Sequence, residues 1–223
     1  MRTVTYGAAC SLDGFIAAAD GGIDWLYFSS DVHDFMANFW PTVDTVVMGR
    51  KTWDASIAMA GGANEPGSAQ DGGAEAVRPQ ATSGTTGEAK GTGGESAGSD
   101  GAGDSGLPSD LQTYVFSRTL EQIVQPGVHL VKDNGADFVR DLKRKPGRGI
   151  CVMGGGEFAR SLLEAGVIDE VGLNVHPILL GSGVPLFLDT GRRIQLALAE
   201  SRTIAGGCVL STYRVVRPDH TDH

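Results

Sequence analysis

Two short segments carry residue types that hold phosphate. In the first, the apolar run Val46-Val47-Met48 meets Gly49-Arg50-Lys51-Thr52, so a strand of buried character ends on a glycine, two cations and a hydroxyl. Glycine lets the backbone leave the strand and approach a ligand closely. A helix that opens there offers amides that attract an anion, and Thr52 is a residue type that caps such a helix. Arg50 can grip a phosphate through two N–H groups at once, and Lys51 adds a point charge. In the second segment, Ile150-Cys151-Val152-Met153 ends on Gly154-Gly155-Gly156. The glycines allow a pyrophosphate or a flat ring to come close, although their spacing is not the G-x-G-x-x-G of dinucleotide-binding turns. Taken singly, the first segment is equally a capped helix with two solvated cations, and the second equally a tight turn. Two such strand ends in one chain point to a cofactor that bears phosphate.

Other chemistries find less support. His176 stands before Pro177 without a His, Cys or Asp at metal-ligand spacing, so no metal site is expected. A nucleophilic serine would call for G-x-S-x-G, which is missing. Cys10, Cys151 and Cys208 each sit in an apolar run, with no C-x-x-C and an odd count, and are expected to be buried thiols. Nucleic acid is not an expected partner, because no basic stripe with interleaved aromatics occurs. No apolar run reaches the ~18 residues of a membrane span, and the N-terminus lacks a signal-peptide pattern, so the expectation is a cytoplasmic protein with no membrane partner.

The segments that must position these residues follow from periodicity. Strands are expected over Thr3–Cys10, Thr45–Met48, Thr113–Ser117, Val128–Lys132, Ile150–Met153 and Asp169–Val175. Phe15-Ile16-Ala17 is a short apolar return after the Ser11–Gly14 turn. From Asp31 onward, Val32, Phe35, Met36, Phe39 and Trp40 recur at helical spacing until Pro41, with Asp31, Asp34 and Asn38 on the opposite polar face. Further helices are expected near Thr52, over Asp137–Arg144 and over Glu157–Ala165, the last closed by Gly166. Two alternating runs, Ile194–Ile204 and Cys208–Val216, flank Ala205-Gly206-Gly207 and read as a hairpin. The result is an α/β fold with a mostly parallel central sheet and an antiparallel C-terminal hairpin. Ligands of such sheets lie outside the carboxyl ends of the strands, where the two glycine-bearing segments fall.

One stretch stands apart. Between Ala60 and Gly106 the only large apolar residue is Val77, and aromatics are missing. The segment cannot bury enough apolar surface to offset its chain entropy, so residues 60–108 are expected to be a disordered, Gly/Ala/Ser-rich acidic insert. Glu65, Asp71, Glu75, Glu88, Glu95, Asp100 and Asp104 outnumber Arg78 and Lys90 there, so more than half of the formal charge of −9 belongs to the insert rather than to a folded surface. What remains of the 223 residues suits a single domain over 1–217, with 218–223 as a flexible tail.

Five pieces in order, Ser11–Ala17, Met48–Trp53, Val115–Arg118, Met153–Glu157 and His176–Phe187, give the chain a resemblance to the dihydrofolate reductase-like family. Within it, the chain is most similar to the branch of the C-terminal reductase domain of the bifunctional riboflavin-biosynthesis enzyme. The resemblance implies a three-layer fold and an NADPH-dependent reductase. Arg50 and Lys51 would hold the 2′-phosphate and neighbouring pyrophosphate, with Gly49 and Thr52 at the helix start. Ser117 and Arg118 would flank the adenosine, Gly154, Gly155, Gly156, Glu157 and Phe158 would cradle the pyrophosphate and nicotinamide side, and Ala9 and Ile16 would line the nicotinamide pocket. The first Gly–Gly bond is often cis in that family. Asp13 and Asp34 would be the catalytic carboxylates, and a homodimer is implied. The substrate would be a pterin- or aminopyrimidine-like heterocycle. The 5-amino-6-(5-phosphoribosylamino)uracil of riboflavin biosynthesis is an alternative substrate, and a nucleotide-binding protein without turnover is a third reading.

Overall fold

The computed structural model describes residues 1–62 and 110–217. In chain order the strands are β1 (Val4–Ser11), β2 (Phe15–Ala18), β3 (Val43–Gly49), β4 (Gln112–Phe116), β5 (Val128–Val131), β6 (Gly149–Met153), β7 (Glu170–His176), β8 (Gly183–Pro185), β9 (Leu196–Thr203) and β10 (Val209–Val215). The helices are α1 (Ser30–Phe39), α2 (Arg50–Gly62), α3 (Gly135–Arg144) and α4 (Gly156–Glu164). The insert expected at 60–108 lies outside the described residues except at its start, where α2 runs on to Gly62. The tail at 218–223 also lies outside them.

Eight strands form one sheet in the order β5-β4-β3-β6-β1-β7-β10-β9. The first six are mutually parallel, and β10 runs antiparallel to both β7 and β9. This is the mostly parallel α/β sheet with an antiparallel C-terminal pair that the sequence pattern predicts. A second, two-stranded sheet joins β2 to β8, a pairing that no local pattern signals.

Helices pack on both faces of the large sheet, which gives three layers and explains why the central strands read as continuous apolar runs. On one face Val139 and Leu142 of α3 and Ala159, Leu162 and Leu163 of α4 pack on Val4, Tyr6, Val47, Ile150, Val152 and Val171. On the other, Trp53 of α2 joins Val46, Met48, Val115 and Cys151, while Val32 and Phe35 of α1 lean on Ile204, Cys208 and Leu210. Ser29 caps α1 by accepting from the Val32 amide at 3.3 Å, and Asn134 caps α3 through the Ala136 and Asp137 amides. Pro41 ends α1 in a short 3-10 turn, Trp40–Thr42.

The sheet is finished at its two ends differently. Arg2, Asp44, Thr45 and Arg148 knit the N-terminal ends of β1 and β3, with Arg2 paired to Asp44. Lys143, itself buried, meets Asp169 at 2.5 Å. The β9 edge is bare, since all eight of its residues are exposed. No helix among the described residues is long and apolar enough to cross a membrane.

Candidate active site

The neighbours β3 and β6 deliver the two glycine segments side by side. Gly49 is the last residue of β3, and Gly154 follows directly on β6. α2 begins at Arg50, so Thr52 sits inside its first turn rather than capping it, and its hydroxyl faces the glycine run. Gly154 has φ +84°, and a methyl group there would overlap Thr52 Oγ1. A methyl on Gly155 would fall 2.8 Å from Ile16 Cδ1 on β2. The backbone therefore threads a gap that only glycine fits, and Gly155 and Gly156 open α4 without a side-chain cap. All described peptide bonds are trans, including Gly154–Gly155, in place of the cis bond the resemblance implies.

The cations collect beside this gap. Arg50 reaches across to the loop after β4, donating from Nη1 to Thr119 Oγ1 at 3.0 Å, and its Nε meets Asp54 at 3.2 Å. Ser117 shapes that loop, its hydroxyl accepting from the amides of Thr119 and Leu120. Lys51 and Arg118 are exposed on either side, and neither forms an ion pair among the described residues. The exposed Arg50–Asp54 pair is worth little in water, so Arg50 is free to turn to an anion. Glu157 is exposed in the first turn of α4. Phe158 packs beneath Gly49 and stacks on Phe116 at 4.6 Å. Its position makes it a prop for the strand ends, with its ring turned into protein.

Next to the gap, the sheet face under α1 and α2 is left open. α1 leans toward β10 and α2 toward β3 and β4, so neither roofs β1 and β7. Register sets Gly7 opposite both Met153 and Gly172, and Ala9 opposite Asn174. A methyl group added to Gly7 would meet no atom within 4 Å, and one on Gly172 would only graze Thr5. These residues floor a shallow trough in which no side chain stands over Gly7, with Met153 beside it on the side of the glycine run. Ala9 lies in that floor, whereas Ile16 stands at the margin against Gly155.

The two carboxylates expected to be catalytic sit on the β1–β2 turn and on α1. Asp13 accepts from Ser11 Oγ at 2.6 Å, from Gly181 N at 2.7 Å and from Leu180 N at 3.2 Å. The Ser11 hydroxyl, with the Gly181 and Leu180 amides, holds its carboxyl below the usual range, so Asp13 staples the β1–β2 turn to the loop before β8 as an anion and has no proton to give. Asp34 is exposed on the side of α1 opposite Val32 and Phe35, which places it toward solvent. Asp31 is engaged by the Ala205 amide at 2.8 Å.

Trp25 and Asn174, which the sequence reading passes over, meet at His176, which it weighs only as a metal ligand. His176 is buried at the end of β7, with burial depressing its pKa. It has a companion after all: Cys208 Sγ lies 3.4 Å from its Nδ1, although no group of three or more metal-ligating side chains forms among the described residues. Asn174 Nδ2 lies 3.2 Å from His176 Nε2, and the Trp25 ring meets the imidazole edge-on at 5.4 Å. Trp25 Nε1 and Asn174 Oδ1 are buried without a hydrogen-bond partner. The available sequence signal is a polar Asn two residues before a strand-ending His, in a strand that is otherwise apolar after Glu170.

Comparison with known proteins agrees with this architecture. Residues 2–210 match the RibD C-terminal domain. The uncharacterized protein YyaP of Bacillus subtilis (strain 168) is 28% identical over 212 residues, covering 95% of this chain and 94% of its own. The uncharacterized protein YwjB of the same organism is 28% identical over 198 residues, 88% of each chain. Among solved structures, a putative riboflavin biosynthesis protein from Shewanella sp. PV-4 superposes with a TM-score of 0.69 at 24% identity, covering 97% of this chain and 100% of that one. The deaminase/5-amino-6-(5-phosphoribosylamino)uracil reductase of Thermotoga maritima gives a TM-score of 0.61 at 14% identity, with 96% of this chain laid over 57% of that one. The chain belongs to the RibD C-terminal domain family, and its fold is that of the riboflavin-type reductase domains.

Proposed function

We propose that the protein is an NADPH-dependent reductase acting on a pterin- or aminopyrimidine-like heterocycle. One observation carries the reading: a glycine gap rimmed by cations opens directly beside an uncovered trough floored by Gly7, Ala9 and Gly172. The chemistry of the chain suits a phosphorylated dinucleotide, which supplies a hydride when bound. Arg50, with Lys51 and Arg118 near it, would meet the phosphates. The tight backbone at Gly154–Gly155 would let the nicotinamide end lie against the β6 terminus, and the trough would hold the acceptor ring flat beside it.

The family supports an oxidoreductase of the riboflavin-pathway type. The phosphoribosylaminouracil of that pathway is less well served, because α1 brings no Lys or Arg toward the trough to meet a substrate phosphate. The test is loss of reduced-nicotinamide absorbance with dihydrofolate and with aminopyrimidines, beside direct binding of NADPH and NADH. Arg50→Ala is expected to weaken NADPH by about tenfold or more, as for loss of a charge-assisted phosphate contact, with little effect on NADH. Equal loss for both cofactors would overturn the phosphate role. NADPH binding without oxidation by any heterocycle would leave a nucleotide-binding protein.

A further inference from the structure

Two backbone carbonyls, those of Pro185 and Leu186, wall the glycine gap on the side of β8. A methyl group on Gly155 would stand 3.3 Å from Leu186 O and 3.4 Å from Pro185 O, besides its closer approach to Ile16 Cδ1. Gly155 is itself extended, with φ −125°, so space and not backbone strain keeps a side chain out of it. The Ile16 contact is with the free tip of a side chain, which a change of rotamer moves aside. The carbonyls are backbone, and they recede only if the segment that carries them can shift.

That segment is held at Leu186 from two directions. The Leu186 amide donates to Gly14 O at 2.8 Å, which ties it to the β1–β2 turn. The Leu186 carbonyl accepts from the Tyr6 hydroxyl at 3.2 Å, and both residues are buried. Tyr6 stands in β1 among the apolar residues under α3 and α4, with its ring 5.8 Å from that of Phe187. Burial, with the Cys10 thiol near it, pushes the Tyr6 pKa up, so the hydroxyl keeps its proton and remains a donor. A phenylalanine would fill the same core space. What the tyrosine adds is one polar group, and its hydrogen bond among the described residues goes to the wall of the gap.

We infer that Tyr6 is a positioning residue of the glycine gap: its hydroxyl fixes the Leu186 carbonyl against Gly155 and so sets the width left for the cofactor. Tyr6 acts through Leu186 and touches neither cofactor nor acceptor. The hold on Leu186 is a property of the chain alone, whereas its effect on NADPH rests on the reductase reading above.

The experiment is a double-substitution cycle of Tyr6→Phe and Gly155→Ala in the full chain, read by thermal melts and by NADPH titration. Tyr6→Phe keeps the ring that fills the core, so the fold is expected to stand. Its melting midpoint is expected to fall by about 2–6 °C, and NADPH to bind about threefold to tenfold more weakly. Gly155→Ala alone pushes a methyl against a wall that is held, and is expected to lower the midpoint by a similar amount. In the Tyr6→Phe background the carbonyl can recede, so the same methyl is expected to cost less than about half as much. A tyrosine that only fills the core would give equal costs in both backgrounds, and that result would overturn the hold. Unchanged NADPH affinity in Tyr6→Phe, with a parent chain that binds NADPH, would overturn the control of width. A parent chain that binds no NADPH would remove the reductase reading instead, and the melting cycle would still decide whether Tyr6 fixes the wall.

Discussion

Gly7→Ala separates the trough from the packed core in one substitution. Gly7 lies mid-strand in β1, with ordinary extended backbone and no atom within 4 Å of where its methyl would stand. A methyl there meets neither strain nor collision, and it restricts the unfolded chain, so a gain of about 0.4–1 kcal/mol is expected. For a chain of this size that raises the melting midpoint by roughly 1–4 °C. The same methyl rises from the trough floor beside Met153 and Gly172, into the space assigned to the acceptor ring. Forcing one extra methyl into an occupied site costs about 1–3 kcal/mol, a loss of roughly 5- to 150-fold in kcat/KM. Thermal melts and steady-state rates with the same heterocycle read both effects, and NADPH affinity should stay unchanged. A variant that is more stable and fully active would refute the trough as the ring's seat. A variant that melts lower would show that the space above Gly7 is filled.

Three further outcomes follow from the geometry. Gly154→Ala adds a left-handed backbone penalty to an overlap with Thr52, so a loss of about 2–4 kcal/mol and a fall in NADPH affinity are expected in melts and binding titrations. The Asp13 staple has a lowered pKa, so its contribution is complete above the ordinary carboxylate value of about 3.9 and is lost as pH falls through the lower folded value; Asp13→Asn should remove that acid-side dependence from proteolysis of the loop before β8. The bare β9 edge, with Leu198 60% exposed, is expected to pair antiparallel with a second copy about Ser201, setting Glu200 against Arg202 of the second chain. Light scattering should then report a dimer that Arg202→Glu dissociates, and a monomeric parent chain would exclude that pairing.

The strand ends are legible in the sequence because their signals are local. Gly49-Arg50-Lys51-Thr52 and Gly154-Gly155-Gly156 each announce a strand that stops and a helix that starts, and the parallel sheet sets them side by side. Thr52 falls inside the helix rather than at its cap because α2 starts at Arg50 without waiting for a capping hydroxyl. Phe158 looks like a ligand contact from its place after the glycines, and only the closeness of Gly49 and Gly135 shows its ring turned into protein. Asp34 lies on the polar face of α1 as its spacing predicts, and the structure leaves it exposed with no partner that fixes it among the described residues. Asn174 and Trp25 are beyond the reach of sequence for a different reason. Their importance lies in the pairing of Ala9 with Asn174 and in atoms left without partners, both of which exist only once distant segments have met.

The strand order also governs how the chain can be made. β1 is the first strand synthesised, yet its two neighbours are β6 and β7, pairing Val4 with Ile150 and Ala9 with Asn174. The centre of the sheet therefore waits for the last third of the chain, and each parallel contact closes a long loop before it returns any stabilisation. On a ribosome, β1 through β4 would emerge with the middle of their sheet still missing. Slow folding, and exposure of Val4, Tyr6, Val46 and Val47 until β6 arrives, are the kinetic price of a site assembled from both ends of the chain.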